Sequence, residues 1–223
     1  MNEPRTLELL YECIEREYAW RITELSNYRS FVISSSGKAK EAILKAGLAL
    51  LYAHWEGFIK RSSDFYYSFV SYQNMRICDL NDCFISIVLR REIERLLSTK
   101  KLSIHKQIIQ TFFQEQDKIA MFTVASPIRT SNLKYNIFED VCILIGIDIN
   151  ELHERYKNKG YDRDIKFIID IDLVDKRNSI AHGDFCSIKE NEFKELYDVV
   201  INGIIYCYKE SIMDNAQNKK YLR

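Results

Sequence analysis

Residues 174–183 read Val174-Asp175-Lys176-Arg177-Asn178-Ser179-Ile180-Ala181-His182-Gly183. A helix, its stop signal and three chemically capable side chains coincide here, so this stretch decides the reading of the whole chain. Asn178 and His182 stand four apart and share a helix face. Arg177 lies five helical steps from His182, a net angle of about 140°, and its side chain is long enough to swing into the same pocket. Gly183 stops the helix. The carbonyl end of a helix attracts an imidazolium, and histidine takes and gives protons near neutral pH. Arginine offers a planar fork matched to phosphate oxygens, and an asparagine orients either partner. These are the needs of a ribonuclease that uses no metal and no cofactor. RNA carries its own nucleophile, the 2′-hydroxyl, which has only to be deprotonated, aligned on phosphorus and stabilised in the transition state. DNA lacks that group. On spacing alone, the same residues also fit an ordinary helix cap, with a histidine before a terminating glycine.

Working outward, apolar periodicity predicts an all-α protein. Leu7, Leu10, Tyr11, Ile14, Tyr18, Ile22 and Leu25 mark a helix over 5–33, broken by Ser34-Ser35-Ser36-Gly37. A second helix over 38–71 carries a stripe of Ala39, Ala42, Ile43, Ala46, Leu50, Ala53, Phe58 and Ile59, then an aromatic cluster from Phe65 to Tyr72. Its small residues allow a close helix neighbour. Further helices are expected over 81–97, 103–114, 134–145, a short one from Asp148, the motif helix from Ile165 or Asp172 to His182, and 191–214. The last has Phe193, Leu196, Tyr197, Val200, Ile201, Ile204 and Ile205 on one side. Residues 117–133 contain Pro127 and lose helical period, which reads as a loop with room for one short strand. The architecture expected is one domain over 1–223: a bundle of long antiparallel helices, an irregular middle insertion over about 75–160, and a frayed tail over 215–223.

Composition sets the limits. Seven Gly and two Pro in 223 residues fit long helices with few turns. A formal net charge of zero argues against bulk electrostatic capture of nucleic acid and confines any RNA site to a local patch. No apolar run reaches a membrane span, and MNEPRTLELL lacks the order of a signal peptide, so a cytoplasmic protein without membrane contact is expected. Six cysteines without a CxxC read as small buried hydrophobes, and the four histidines make no zinc pattern.

The block 174–183 resembles the signature of the HEPN superfamily, helical domains named for higher eukaryotes and prokaryotes nucleotide-binding. Its pattern of Arg, a polar residue, three more and His is matched by Arg177, Asn178 and His182. Leu51-Tyr52-Ala53-His54-Trp55-Glu56-Gly57-Phe58-Ile59-Lys60, and Ser131-Asn132-Leu133-Lys134 leading to Ile145-Gly146-Ile147-Asp148, are similar to the MAE-type branch related to RiboL-PSP-HEPN proteins. The resemblance implies a HEPN-like bundle and a homodimer with a composite cleft between two motif helices. It also implies metal-independent RNA cleavage leaving 2′,3′-cyclic phosphate and 5′-hydroxyl ends, with roles as toxins or in phage defence and a cognate antitoxin or defence partner. The chain departs from branches controlled by nucleotidyltransferases at Asp184, where those carry a tyrosine two positions after the histidine.

Other residues are weaker candidates. His54 and Glu56, two apart on the second helix and facing about 200° apart, offer at most one supporting group to the site, or a polar pair at a helix contact. Arg90, Arg91 and Arg95 could guide RNA through its phosphates, or form a solvated face diluted by Glu92 and Glu94. Asp172 and Asp175 read as a solvated acidic face, His105 and His153 as surface residues, and Trp20 and Trp55 as core. A non-catalytic nucleotide- or RNA-binding module and a helical adaptor are the competing functions.

Overall fold

Thr6 starts the first helix: its side-chain oxygen accepts the Leu9 N–H at 3.3 Å. Helix α1 (Leu7–Ser34) is followed by α2 (Gly37–Ser71), and Gly37 at φ +58° makes the reversal between them. Then come α3 (Asp82–Val88), α4 (Arg90–Ser98), α5 (Leu102–Glu115), α6 (Tyr135–Leu144) and α7 (Ile149–Asn158). Two longer helices close the chain, α8 over 165–182 and α9 over 190–217. Each contains a stretch of π-helix, Ile168–Asp175 in α8 and Val199–Ile205 in α9. This computed structural model describes residues 3–122 and 128–223, and among them the chain is all-α with no strand.

Side-chain pairs fix the directions. Tyr18 packs on Phe58, Arg21 meets His54, and the Tyr28 hydroxyl donates to the Ile43 carbonyl. Residue numbers rise on one helix as they fall on the other, so α1 and α2 are antiparallel. The same test makes α1 and α9 antiparallel, from Lys209–Glu15 and Tyr11–Met213. By contrast α2 and α9 run parallel, because Phe193 sits at Gly47 and Tyr208 bonds Ser63. Helix α2 is the central element and touches α1, α8 and α9. Its Leu48, Leu51, Trp55, Phe58 and Tyr66 are fully buried, each aliphatic or aromatic side chain contributing about 1.5–3 kcal/mol on leaving water. The expected apolar face of α9 is buried throughout, from Phe193 to Ile205.

Several expectations are corrected. The stripe of α2 is shifted at its alanines: Ala39, Ala42, Ala46 and Ala53 face solvent, while Leu44, Leu48, Leu51 and Trp55 face the core; Phe58 and Ile59 are buried as expected. The close approach expected of its small residues is made at Gly47, where a Cβ would come 2.7 Å from the Tyr28 ring. The helix expected over 81–97 is two, because Leu89 at ψ 8° breaks the turn between α3 and α4. Residues 116–120 pair with 75–78 through Ile77 N–H to Lys118, Cys78 N–H to Gln116 and Ala120 N–H to Met75. That is an antiparallel contact with one isolated bridge, Arg76–Ile119. Within the stretch 117–133, where one short strand was allowed for, residues 123–127 lie outside the described residues. Trp20 is 43% exposed. Cys78 is only half-buried and donates to Asp117 at 3.5 Å, whereas Cys13, Cys142, Cys186 and Cys207 are buried.

The tail also departs from expectation. Tyr221 is buried against the edge of Phe69, with ring centroids 6.0 Å apart. Its carbonyl accepts the Asn81 N–H at 2.8 Å, and the Arg223 N–H donates to Asp79. An aromatic ring within a polar stretch finds the aromatic cluster of α2, which tethers the segment. No helix among the described residues is long and apolar enough to cross a membrane.

Candidate functional site

The motif sits at the C-terminal end of α8. Backbone angles at Phe167 and Lys176 stay in the right-handed helical region, so the π-helical stretch passes into the final α turns without a break. Gly183 at φ +79° ends the helix: its N–H donates to Ile180 at 3.2 Å, and Asp184 N–H reaches back to Ser179 at 2.9 Å. These two bonds satisfy the last carbonyls in a Schellman cap. His182 therefore stands exposed at the rim of a closed helix end, and no described residue hydrogen-bonds its ring.

Arg177 is held from below. Its guanidinium carbon lies 3.8 Å from the centroid of the Tyr52 ring, a cation–π contact between α8 and α2. Its Nη1 donates to Asn178 Oδ1 at 2.7 Å, and Asn178 Nδ2 in turn donates to Asn132 Oδ1 at 3.3 Å. Arg177 Nε is buried and has no hydrogen-bond partner among the described residues. The nearby carboxylates are neutralised by other cations: Asp175 by Lys134 at 2.8 Å, and Asp172 by Lys176 at 2.9 Å and by Arg163. Of the expected solvated acidic face, Asp175 stays half-exposed beside its lysine, whereas Asp172 is largely covered by its two cations. Arg177 forms no ion pair among the described residues, so its charge is available to an incoming anion.

The turn 131–134 ties the site together. Leu133 N–H donates to the Tyr52 hydroxyl at 2.8 Å, and Trp55 Nε1 donates to the Leu133 carbonyl at 3.3 Å. Tyr52 then donates to Glu56. Burial, and next the bond to Glu56, push the Tyr52 hydroxyl up to about 12, so it remains a protonated donor at neutral pH. The N-terminus of α6 is fixed to the motif helix by Tyr135 N–H donating to Asp170 at 2.7 Å.

Of the residues singled out from the sequence, Arg177 and Asn178 are in contact, and Glu56 joins them through Tyr52. His182 shares their helix. His54 lies elsewhere, in a buried network between α1 and α2. Arg21 can only donate, so His54 Nδ1 accepts its Nη1 at 3.3 Å, and the ring proton sits on Nε2, 2.9 Å from Glu24. Burial, and then the charge of Arg21, hold the His54 pKa below its ordinary value. Arg90, Arg91 and Arg95 are exposed on α4, which packs on α3 and α5, and Arg90 pairs with Glu94. Among the described residues no hydrogen bond or ion pair links the three to the motif. His105 and His153 are half-buried, bonded to the Thr99 carbonyl and the Tyr135 hydroxyl. Tyr52 and Asn132 were not singled out as site residues. The Tyr–Glu pair four apart on α2, and an asparagine suited to its φ of +52° in a turn, are the signals that mark them. Among the described residues no group of three or more His, Cys, Asp or Glu is arranged to hold a metal ion.

No curated protein and no solved structure matches the chain. A family model matches residues 10–221, and on that match this chain belongs to the MAE_28990-like HEPN family.

Proposed function

We propose that the chain is a metal-independent endoribonuclease acting as a homodimer, with a toxin or phage-defence role. HEPN domains are often ribonucleases and often bind RNA. In the proposed reaction His182 takes the proton of a 2′-hydroxyl. The 2′-oxygen forms a bond to the adjacent phosphorus, and the P–O5′ bond breaks. A 2′,3′-cyclic phosphate results, and the departing 5′-oxygen gains a proton to become a hydroxyl. Arg177 binds the phosphate oxygens and stabilises the charge that develops on them. Asn178 sets the heading of Arg177, and Tyr52 with Glu56 supports it. RNA supplies the nucleophile, so these groups need no metal to generate one. Dimerisation would set two motif helices face to face and double the Arg and His available to one phosphate.

The observation that supports this reading most is the state of Arg177. It is pinned by Tyr52 and Asn178 and free of any acid, five residues before an exposed histidine on the same helix. The test incubates purified protein with mixed RNA in EDTA, beside His182→Ala and Arg177→Ala. Wild type should cleave, and each variant should lose at least about a hundredfold in rate, the scale of a lost acid–base or electrostatic group. Equal cleavage by all three would sink the catalytic roles. Binding by all three without cleavage would instead make the chain a binding module.

A further inference from the structure

Beside the turn that holds Asn178 lies an open groove of about 380 Å³, lined by Arg129, Ser131, Ile137, Asp140, Val141 and Leu144. That volume falls within the range of small-ligand sites. The four α6 residues recur at i, i+3, i+4 and i+7, one helix face, so Asp140 is set into an otherwise apolar wall. Arg129 faces the same groove. Both charged residues are exposed and neither enters an ion pair among the described residues. A guanidinium and a carboxylate thus share a small, largely apolar groove without neutralising each other.

The groove adjoins the motif through the backbone. Ser131 lines it, the next residue Asn132 accepts from Asn178, and Leu133 N–H bonds the Tyr52 hydroxyl beneath Arg177. A strand with a phosphate on Arg177 would bring a neighbouring nucleotide to this turn. We infer that the groove is a subsite for a nucleobase of the RNA strand, with guanine favoured through Asp140 and Arg129. The inference rests on the reading of the motif as an RNA site.

The apolar face of α6 takes the flat of the base. Guanine alone among the four bases sets two adjacent donors, N1–H and the 2-amino group, against a single carboxylate. Its N7 and O6 are the acceptor pair that an arginine fork matches. In adenine and cytosine an acceptor nitrogen stands beside the amino group and repels Asp140. In uracil the lone N–H is flanked by two carbonyls.

The experiment uses fluorescein-labelled 2′-fluoro pentamers, UUGUU, UUAUU, UUCUU and UUUUU, which lack the nucleophile and cannot be cut through it. Fluorescence anisotropy with the full chain should show UUGUU bound about tenfold more tightly than the other three, within what one bidentate base contact supplies. Asp140→Asn places an amide donor against guanine's donors, and should shrink the preference to within about twofold without weakening UUUUU binding. Arg129→Ala should also reduce it. Equal binding of all four probes, binding of none, or a preference that survives both substitutions would overturn the subsite. The readout needs no cleavage, so the two readings fail separately. A guanine preference beside a nuclease activity indifferent to His182→Ala would remove the catalytic reading and keep the subsite. His182-dependent cleavage with equal probe binding would do the reverse.

Discussion

Replacing Tyr52 by phenylalanine isolates one hydroxyl that connects three parts of the site. Tyr52 is 4% exposed, its oxygen accepts the Leu133 N–H at 2.8 Å, and its proton goes to Glu56. Tyr52→Phe leaves the ring under Arg177 but strands the Leu133 N–H in a buried position without an acceptor. A stranded buried donor costs about 1–3 kcal/mol. In a chain of this size each kcal/mol moves Tm by roughly 2–4 °C, so Tm should fall by about 2–12 °C. Tyr52→Ala removes the ring as well. The cavity adds to the cost, with large aromatic truncations running at about 3–5 kcal/mol in total, and Arg177 loses its platform. Thermal melts followed by circular dichroism, with urea midpoints at pH 7.5, measure both variants. A Tyr52→Phe melt within about 1 °C of wild type would refute the hydroxyl's part in holding the turn. An alanine variant no worse than the phenylalanine one would refute the platform.

Gly183→Ala tests the helix stop. An added Cβ would meet nothing within 4 Å, so the cost is that of a left-handed backbone alone, about 1–2 kcal/mol. The urea midpoint should fall accordingly, with Gly183→Asn falling less, and a neutral alanine would contradict the cap. His54 makes stability depend on pH. Its folded pKa lies below the unfolded value of 6.5, so the unfolded chain binds the proton more readily. The contribution is complete above pH 6.5 and is lost as pH falls through the lowered folded pKa. Protonated Nδ1 would then face Arg21 donor to donor. Urea midpoints between pH 8 and 5 should decline more steeply for wild type than for His54→Gln, and identical slopes would count against the network.

The helix end at 177–183 was legible because it follows local rules: a glycine in the left-handed region ends it, directly after His182. The face of α9 was legible too, since a broad apolar stripe dominates its own periodicity. What escaped depends on neighbours distant in sequence. The α2 stripe held at Phe58 and Ile59 but failed at its alanines, which are apolar without being buried, on a helix with partners on several sides. Glu17 and Arg21 carry charge, yet both are buried: they pair with each other, and Arg21 also meets His54. Tyr52 and Asn132 lie 80 residues apart and acquire a role only when the 131–134 turn docks between α2 and α8. The anchoring of Tyr221 likewise needs the aromatic cluster formed by α2.

The π-helical turns in α8 bear on how this motif tolerates changes in length. In an ordinary α-helix the loss of one residue rotates everything beyond it by about 100°. A π turn carries a surplus residue, because its backbone bonds span five positions rather than four. A chain one residue shorter between Phe167 and Lys176 could close those turns to α geometry while both flanks keep their heading. Asp170 or its replacement would have to find a new match for Tyr135, but Arg177 would still arrive over Tyr52. The segment is thus a slack register, in which the loss of one residue is absorbed before it reaches the reactive end.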